Sequence, residues 1–302
     1  MSDWWRQVDR FWNGGIDDRV YGWLRMGFAV VAFLNAVHWL SASDELLSSA
    51  GINSLEAASS SPHKWAEISI FVLVRDPVLV NGLIGIVALV HVLLFFGVGS
   101  RCCLVFSLYW HVSYQNWAAL GTAGWDSVLG NVCFILMVSP TGKSVRPGAW
   151  IRSLLTRQGG SVSGPGNLPP LFSPRYGVYL LRFQLFLIYW VAVVTRFPDE
   201  YWKNGDSFGY YLLSDFCWFG GPWVLEATWL VRTATWGAQF VEFLIPLLLL
   251  GRRTWKAGFA LGFLFHLALA ITTTNLILFS LSMMMIYLAF VRFPETGADE
   301  PS

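Results

Sequence analysis

The sequence is poor in charged residues and in cysteine. Asp, Glu, Lys and Arg make up 13% of the 302 residues, which is about half the share found in an ordinary soluble domain. The formal net charge is +1, and no basic stripe with interleaved aromatic residues is present, so no nucleic-acid partner is expected. The four cysteines follow no C-x-x-C or Cys/His spacing, so no metal site is predicted.

Motifs that bind metals or phosphates in soluble enzymes are also missing or incomplete. There is no H-E-x-x-H zinc motif. Gly142, Lys143 and Ser144 match the end of a phosphate-binding loop, but Met137 stands where its first glycine belongs, and no strand is predicted before it. The catalytic residues and any cofactor are therefore left unknown.

Long apolar runs dominate what is present, since 55% of the residues are hydrophobic. A membrane span needs roughly 20 mostly apolar residues, because the hydrocarbon core is about 30 Å thick. This rule predicts helices near 21–40, 78–98, 102–120, 125–139, 176–197, 233–251, 255–272 and 276–291. The expected fold class is all-α, a polytopic integral membrane helical bundle with about eight transmembrane helices.

Two shorter segments accompany the predicted spans. Trp4, Trp5, Val8, Phe11 and Trp12 recur at helical spacing and predict an amphipathic helix in the membrane interface. The segment 65–74 is too short to span a membrane, so we expect it at the surface.

The stretch 159–174 is rich in Gly, Pro and Ser and separates the first four predicted spans from the last four. No internal repeat is visible across it. We therefore predict a single membrane domain over residues 1–302, with 159–174 as a cytoplasmic linker. An arrangement of two bundles is the alternative.

Lys and Arg are concentrated in alternate loops. The loops around 143–157 and 252–256 carry several of them, whereas those around 41–76 and 198–232 carry few and hold many acidic residues. Because cytoplasmic loops retain positive charge during insertion, both termini are predicted to be cytoplasmic. The expected location is a bacterial inner membrane.

Ionisable and amide side chains within apolar spans are candidates for a functional site, since inserting them is costly. The candidates for ligand binding are His111, Asn116, Asp126, Arg182, Gln184, Arg196, Glu242 and His266. A lone His or Asn in a membrane is more often a hydrogen-bond partner between helices, and an Arg near a helix end can reach the headgroups.

Glu242 has the strongest need for a partner, because it lies near the middle of its predicted span and a carboxylate there needs a cation or a proton. We predict that it pairs with Arg182. We also predict that this pair and the polar end of the third span, with His111 and Asp126, share one site that opens outward.

Several short segments carry a family likeness. They are Arg25-Met26-Gly27, Trp125-Asp126-Ser127, Ser139-Pro140-Thr141-Gly142, Arg182-Phe183-Gln184, Tyr189-Trp190-Val191-Ala192, Trp202 with Gly205, and Phe265-His266. With them the chain, from about residue 21 to 294, resembles the HTTM family, the horizontally transferred transmembrane domain. That domain also forms the membrane part of vitamin K-dependent gamma-carboxylases.

The resemblance implies a lipophilic or quinone-like small molecule bound within the helical bundle. In the carboxylases a lysine is thought to deprotonate vitamin K hydroquinone, and Arg196 stands at the matching position. Because a guanidinium stays protonated, gamma-carboxylation is not expected. The alternatives are a transporter or a component of peptide-toxin maturation or export, and a structural membrane partner of a separate redox protein. Whether the chain is an enzyme stays open.

Overall fold

The computed structural model describes residues 3–60, 65–145, 147–148 and 171–291, and α-helices dominate them. In chain order the helices are α1 (Asp3–Asn13), α2 (Arg19–Leu40), α3 (Ser43–Leu46), α4 (Leu55–Ser60), α5 (Pro77–Phe96), α6 (Ser100–Trp117), α7 (Gly124–Val138), α8 (Tyr176–Arg196), α9 (Glu200–Asn204), α10 (Ser207–Leu213), α11 (Trp223–Glu226), α12 (Thr228–Leu250), α13 (Trp255–Thr272) and α14 (Ile277–Tyr287). Two short strands, β1 (Gly15–Asp17) and β2 (Phe172–Pro174), pair antiparallel.

All eight helices predicted from the apolar runs are present. Five of them, α2, α5, α8, α12 and α13, are long and apolar enough to cross a membrane. The helix α7 and the helical stretch Thr274–Phe290 are shorter and apolar, and α6 has 18 residues with a polar end. The all-α prediction is confirmed, whereas the count of eight spans stays a prediction.

The amphipathic N-terminal segment is also helical, and α1 buries none of its residues. Trp4, Trp5 and Phe11 are more than half exposed. This confirms the helix, and its position in the membrane interface stays a prediction.

The chain divides into two compact units. We call the part up to Tyr179 the N-terminal unit and Leu180–Val291 the C-terminal unit. The division falls within the first turn of α8, shortly after the predicted linker 159–174. Residues 159–170 of that linker lie outside the described residues, and its last residues form β2, in which Ser173 pairs with Ile16 of β1.

The core of the N-terminal unit lies where α2, α5, α6 and α7 pack together. Trp39, Phe71, Trp110, Tyr114 and Trp117 are its large buried aromatic residues. Phe71 comes from the segment 65–74, which forms two 3-10 turns, Ala66–Ile68 and Ile70–Val72. Phe71 packs against the rings of Trp110 and Trp117 on α6, so this segment contributes to the core, and its position at the membrane surface stays a prediction.

The loop that follows α7 packs directly on the first turns of α2. Gly142 has a φ of 64°, and a Cβ at this position would overlap the backbone of Gly22. Asp18, at the start of α2, accepts hydrogen bonds from the Ser144 backbone N–H at 2.9 Å and from the Ser173 hydroxyl at 2.7 Å. One buried carboxylate thus joins this loop and β2 to α2.

In the C-terminal unit α12 packs on α13, and α13 packs on α14. The short helix α10 also packs on α12, where Leu212, Val224 and Val231 form a small apolar cluster. The buried hydroxyl of Thr235 accepts a hydrogen bond from the Phe208 N–H at 3.0 Å and donates to the Gly205 carbonyl. The segments outside the long helices are therefore held against α12.

We expect Gly142→Ala to lower the melting temperature in detergent by more than Gly99→Ala. Both glycines have positive φ, which costs an alanine about 1–2 kcal/mol, but a Cβ at Gly99 meets no atom within 4 Å. The difference in melting temperature between the two variants reports the cost of placing a Cβ against the backbone of Gly22. Equal losses would show that the loop does not need its close approach to α2.

Candidate functional site

Three buried side chains of the C-terminal unit form a hydrogen-bonded group, the tyrosine–histidine cluster of Tyr189, His266 and Tyr287. The hydroxyl of Tyr189 on α8 lies 2.6 Å from Nε2 of His266 on α13 and 2.6 Å from the hydroxyl of Tyr287 on α14. None of the three is more than 2% exposed. The cluster therefore joins three helices through polar groups that have no access to water.

A glycine on α13 makes room for this cluster. Gly262 lies one turn before His266 on the same face of the helix, and a Cβ at this position would overlap the hydroxyl of Tyr287. Phe259 and Phe279 pack edge-on against Tyr287 and His266. The polar atoms thus meet inside an aromatic surrounding.

One atom of the cluster, the buried Nδ1 of His266, has no hydrogen-bond partner among the described residues. If Nε2 accepts from Tyr189, then Tyr189 accepts from Tyr287, and Nδ1 carries a proton that it can donate. If Nε2 donates instead, both hydroxyls reverse, and Nδ1 becomes an acceptor. The cluster can therefore present either a donor or an acceptor at the same position.

Glu242 on α12 forms an ion pair with Arg196, the last residue of α8. Glu242 is only 7% exposed, and the Arg196 guanidinium also lies 4.0 Å from the ring centre of Trp202. Pro246, one turn after Glu242, has no N–H, so the carbonyl of Glu242 lacks its usual helical donor. The charged pair thus lies beside a locally weakened stretch of α12.

The predicted pair of Arg182 with Glu242 is wrong. Nε of Arg182 donates to the Ala289 carbonyl at 2.9 Å, and its guanidinium lies 5.1 Å from the ring centre of Phe290. Arg182 and Arg196 are fourteen residues apart on α8, about 21 Å along a straight helix. A carboxylate that contacts one of these arginines is therefore out of reach of the other.

Among the other candidates in the C-terminal unit, His266 belongs to the cluster, whereas Gln184 is half-buried with no hydrogen bond to another described residue. Tyr189 and Tyr287 are the members that the sequence reasoning missed, because it considered charged, imidazole and amide groups only. Tyr189 lies within one of the segments that carry the family likeness, and this was the one sequence feature that could have marked it as a candidate.

The letters G-x-S-x-G occur at Gly205–Gly209, but they do not form a nucleophile elbow. Such an elbow needs a turn from a strand into a helix, whereas Gly205 ends α9 and Ser207 begins α10. No histidine bonds the Ser207 hydroxyl among the described residues.

A second polar network lies in the N-terminal unit around Asp126, which is 1% exposed. Its carboxylate accepts hydrogen bonds from the Tyr114 hydroxyl at 2.7 Å and the Ala123 N–H at 2.8 Å. The Asn35 amide donates to Tyr114 at 3.0 Å and accepts from the Trp125 indole at 3.2 Å. These neutral donors join α2, α6 and α7 and satisfy the buried carboxylate.

Two of the predicted residues form no hydrogen bond to this network in the described part of the chain. His111 bonds the Ser107 carbonyl at 2.7 Å, and its buried Nε2 is unpaired among the described residues. The Asn116 amide donates to the Val112 carbonyl of its own helix at 2.8 Å. The polar end of α6 therefore does not act as one group, and a site shared with Glu242 stays a prediction.

The described residues contain no group of three or more His, Cys, Asp or Glu able to hold a metal ion. No protein-family model, curated protein or solved structure matches the chain. The class that the fold defines is thus a helical protein with five helices long and apolar enough to cross a membrane.

A double-mutant cycle tests the ion pair. We expect Arg196→Gln to destabilise the protein by about 3–5 kcal/mol, because it leaves the buried Glu242 carboxylate without its partner. Glu242→Gln should cost less, because the Arg196 side chain is partly exposed. The double variant should lose clearly less than the two single losses combined. The measurement is the melting temperature in detergent.

Arg182→Gln is the matched control for this cycle, since it removes a guanidinium from the same helix. The stability losses of Arg182→Gln and Glu242→Gln should add in the double variant, because Arg182 donates to the Ala289 carbonyl and not to Glu242. Coupling of Glu242 to Arg182 and not to Arg196 would contradict the observed pairing.

Proposed function

We propose that this chain is an HTTM-type integral membrane protein that binds a lipophilic, quinone-like small molecule in its C-terminal unit. The five long apolar helices support insertion in a membrane. We infer that α6, α7 and the stretch Thr274–Phe290 complete a set of eight spans. An even count places both termini on one side, and the loop charges favour the cytoplasmic side of a bacterial inner membrane.

The unpaired Nδ1 of His266 is the observation that carries the ligand proposal. A buried polar atom without a partner costs about 1–3 kcal/mol, and a ligand that supplies the missing hydrogen bond recovers this cost. The surrounding phenylalanines favour a flat, apolar ligand. A ring that carries one polar oxygen meets both requirements.

The reversible hydrogen bonds of the cluster favour a quinone in particular. A quinone carbonyl only accepts a hydrogen bond, whereas a hydroquinone hydroxyl also donates one. His266 can serve both, because reversing the bonds through Tyr189 and Tyr287 changes Nδ1 from a donor to an acceptor. The cluster therefore suits a ligand that exists in two redox states.

The ion pair beside the cluster has a separate role. Arg196 stays protonated and cannot act as a general base. Its contact with Glu242 is between α8 and α12. We assign the pair to joining these two helices and assign no reaction to the site.

Binding can be measured by titrating a naphthoquinone with a short prenyl chain into the detergent-solubilised protein and following tryptophan fluorescence. We expect His266→Gln and Tyr189→Phe each to weaken binding about tenfold, the equivalent of one hydrogen bond of about 1.4 kcal/mol. Tyr201→Phe is the control, because Tyr201 is exposed. Unchanged affinity in both cluster variants would exclude this site.

Labelling of single cysteines in intact cells tests the orientation. The native cysteines at 102, 103, 133 and 217 are first removed. Glu200→Cys should then react with an impermeant thiol reagent, and Arg253→Cys should not, because the two exposed residues lie in loops predicted on opposite sides. The reverse pattern would overturn the charge-based orientation.

A further inference from the structure

A cavity of about 670 Å³ in the N-terminal unit has a strongly cationic lining. It lies between the end of α5, the start of α6 and the loop after α7. Arg25, Arg101 and Lys143 line it together with Ser100 and Thr141, and its described lining residues include no Asp or Glu. We call it the cationic pocket. It belongs to neither polar network described above.

Arg25 is the buried cation of this pocket, with 3% of its surface exposed. Its Nη2 donates to the Val145 carbonyl at 2.8 Å, and its Nε has no partner among the described residues. No carboxylate lies within 4.0 Å of the guanidinium in the described part of the chain. A buried guanidinium is costly unless an anion neutralises it.

Packing fixes the position of this guanidinium. Gly97 ends α5 with a φ of 78°, and a Cβ there would overlap the Arg25 guanidinium. The Val145 carbonyl also holds Nη2 by a hydrogen bond. The charge is therefore held in place before any ligand arrives, which lowers the entropic cost of binding.

The start of α6 supplies further donors. Gly99, the N-cap residue, offers no side chain to the first turn, so the backbone N–H groups at 100–102 have no partner within the helix. These residues line the cationic pocket, and Arg101 is fixed there by a hydrogen bond to the Met137 carbonyl. A helix N-terminus favours anions through both its N–H groups and its dipole.

We infer that the cationic pocket binds a phosphate group. A phosphate oxygen accepts from the α6 backbone, and the remaining negative charge is neutralised by the guanidinium groups of Arg25 and Arg101, which match phosphate geometry. A phospholipid headgroup and a free phosphate share this chemistry. Thr141 and Lys143 reach the same pocket from a loop, with no preceding strand, so the geometry differs from that of a phosphate-binding loop.

Thermal melting of the detergent-solubilised full chain tests the inference. The probes are dioleoyl phosphatidic acid in mixed micelles, inorganic phosphate, and dioleoyl phosphatidylcholine as the zwitterionic reference. We expect phosphatidic acid or inorganic phosphate to raise the melting temperature in a saturable way. A response to the lipid alone identifies a headgroup site, and a response to inorganic phosphate identifies a site for a free anion.

The variant that decides is Arg101→Gln, because Arg101 is exposed and its loss leaves the buried core intact. It should weaken the apparent affinity for the phosphate probe about tenfold, because one charged hydrogen bond is lost. Arg25→Gln should weaken this affinity by the same factor if that variant folds. Arg252→Gln, which removes an exposed cation outside the pocket, should respond like the unchanged protein. No response to either phosphate probe, or an equal response in Arg101→Gln, would overturn the inference.

Discussion

A polar group within a bundle of apolar helices has no water to bond and must find its partner on another helix. Both hydrogen-bonded networks of this protein follow from that constraint. Tyr189, His266 and Tyr287 join α8, α13 and α14, while Asn35, Tyr114 and Asp126 join α2, α6 and α7. Because apolar contacts are not directional, such bonds help to decide which helices are neighbours within each unit.

The two networks differ in how completely they are satisfied. Around Asp126 both carboxylate oxygens have donors, so the network has a sufficient structural explanation. In the described part of the chain, Nδ1 of His266 in the tyrosine–histidine cluster and Nε of Arg25 in the cationic pocket have no hydrogen-bond partner. Buried polar groups are nearly always satisfied in folded proteins. Other buried atoms, such as Nε2 of His111, are also unpaired among the described residues. His266 and Arg25 are the two for which we propose a ligand, an oxygen-bearing ring at one and a phosphate at the other.

The candidate site was predictable only in part. His266, Arg196 and Glu242 are conspicuous as polar residues in apolar runs, and insertion cost alone marks them. The partner of Glu242 was not predictable in the same way, because Arg182 and Arg196 lie on the same helix. Which of them reaches Glu242 depends on the position of α8 along α12, and the sequence does not show that position. Tyrosines are ordinary in apolar segments. Nothing local distinguishes Tyr189 and Tyr287 from the other tyrosines until three helices bring their hydroxyls together.

The sequence by itself determined the helices, because apolar length and helical spacing are local properties that each segment carries alone. The eight predicted helices and the amphipathic N-terminal helix are accordingly all present. Only the tertiary structure decided which polar groups meet. A hydrogen bond depends on rotation and offset between helices far apart in the chain, and these are set by close contacts such as those at Gly22, Gly97 and Gly262, where the absence of a side chain lets two segments touch.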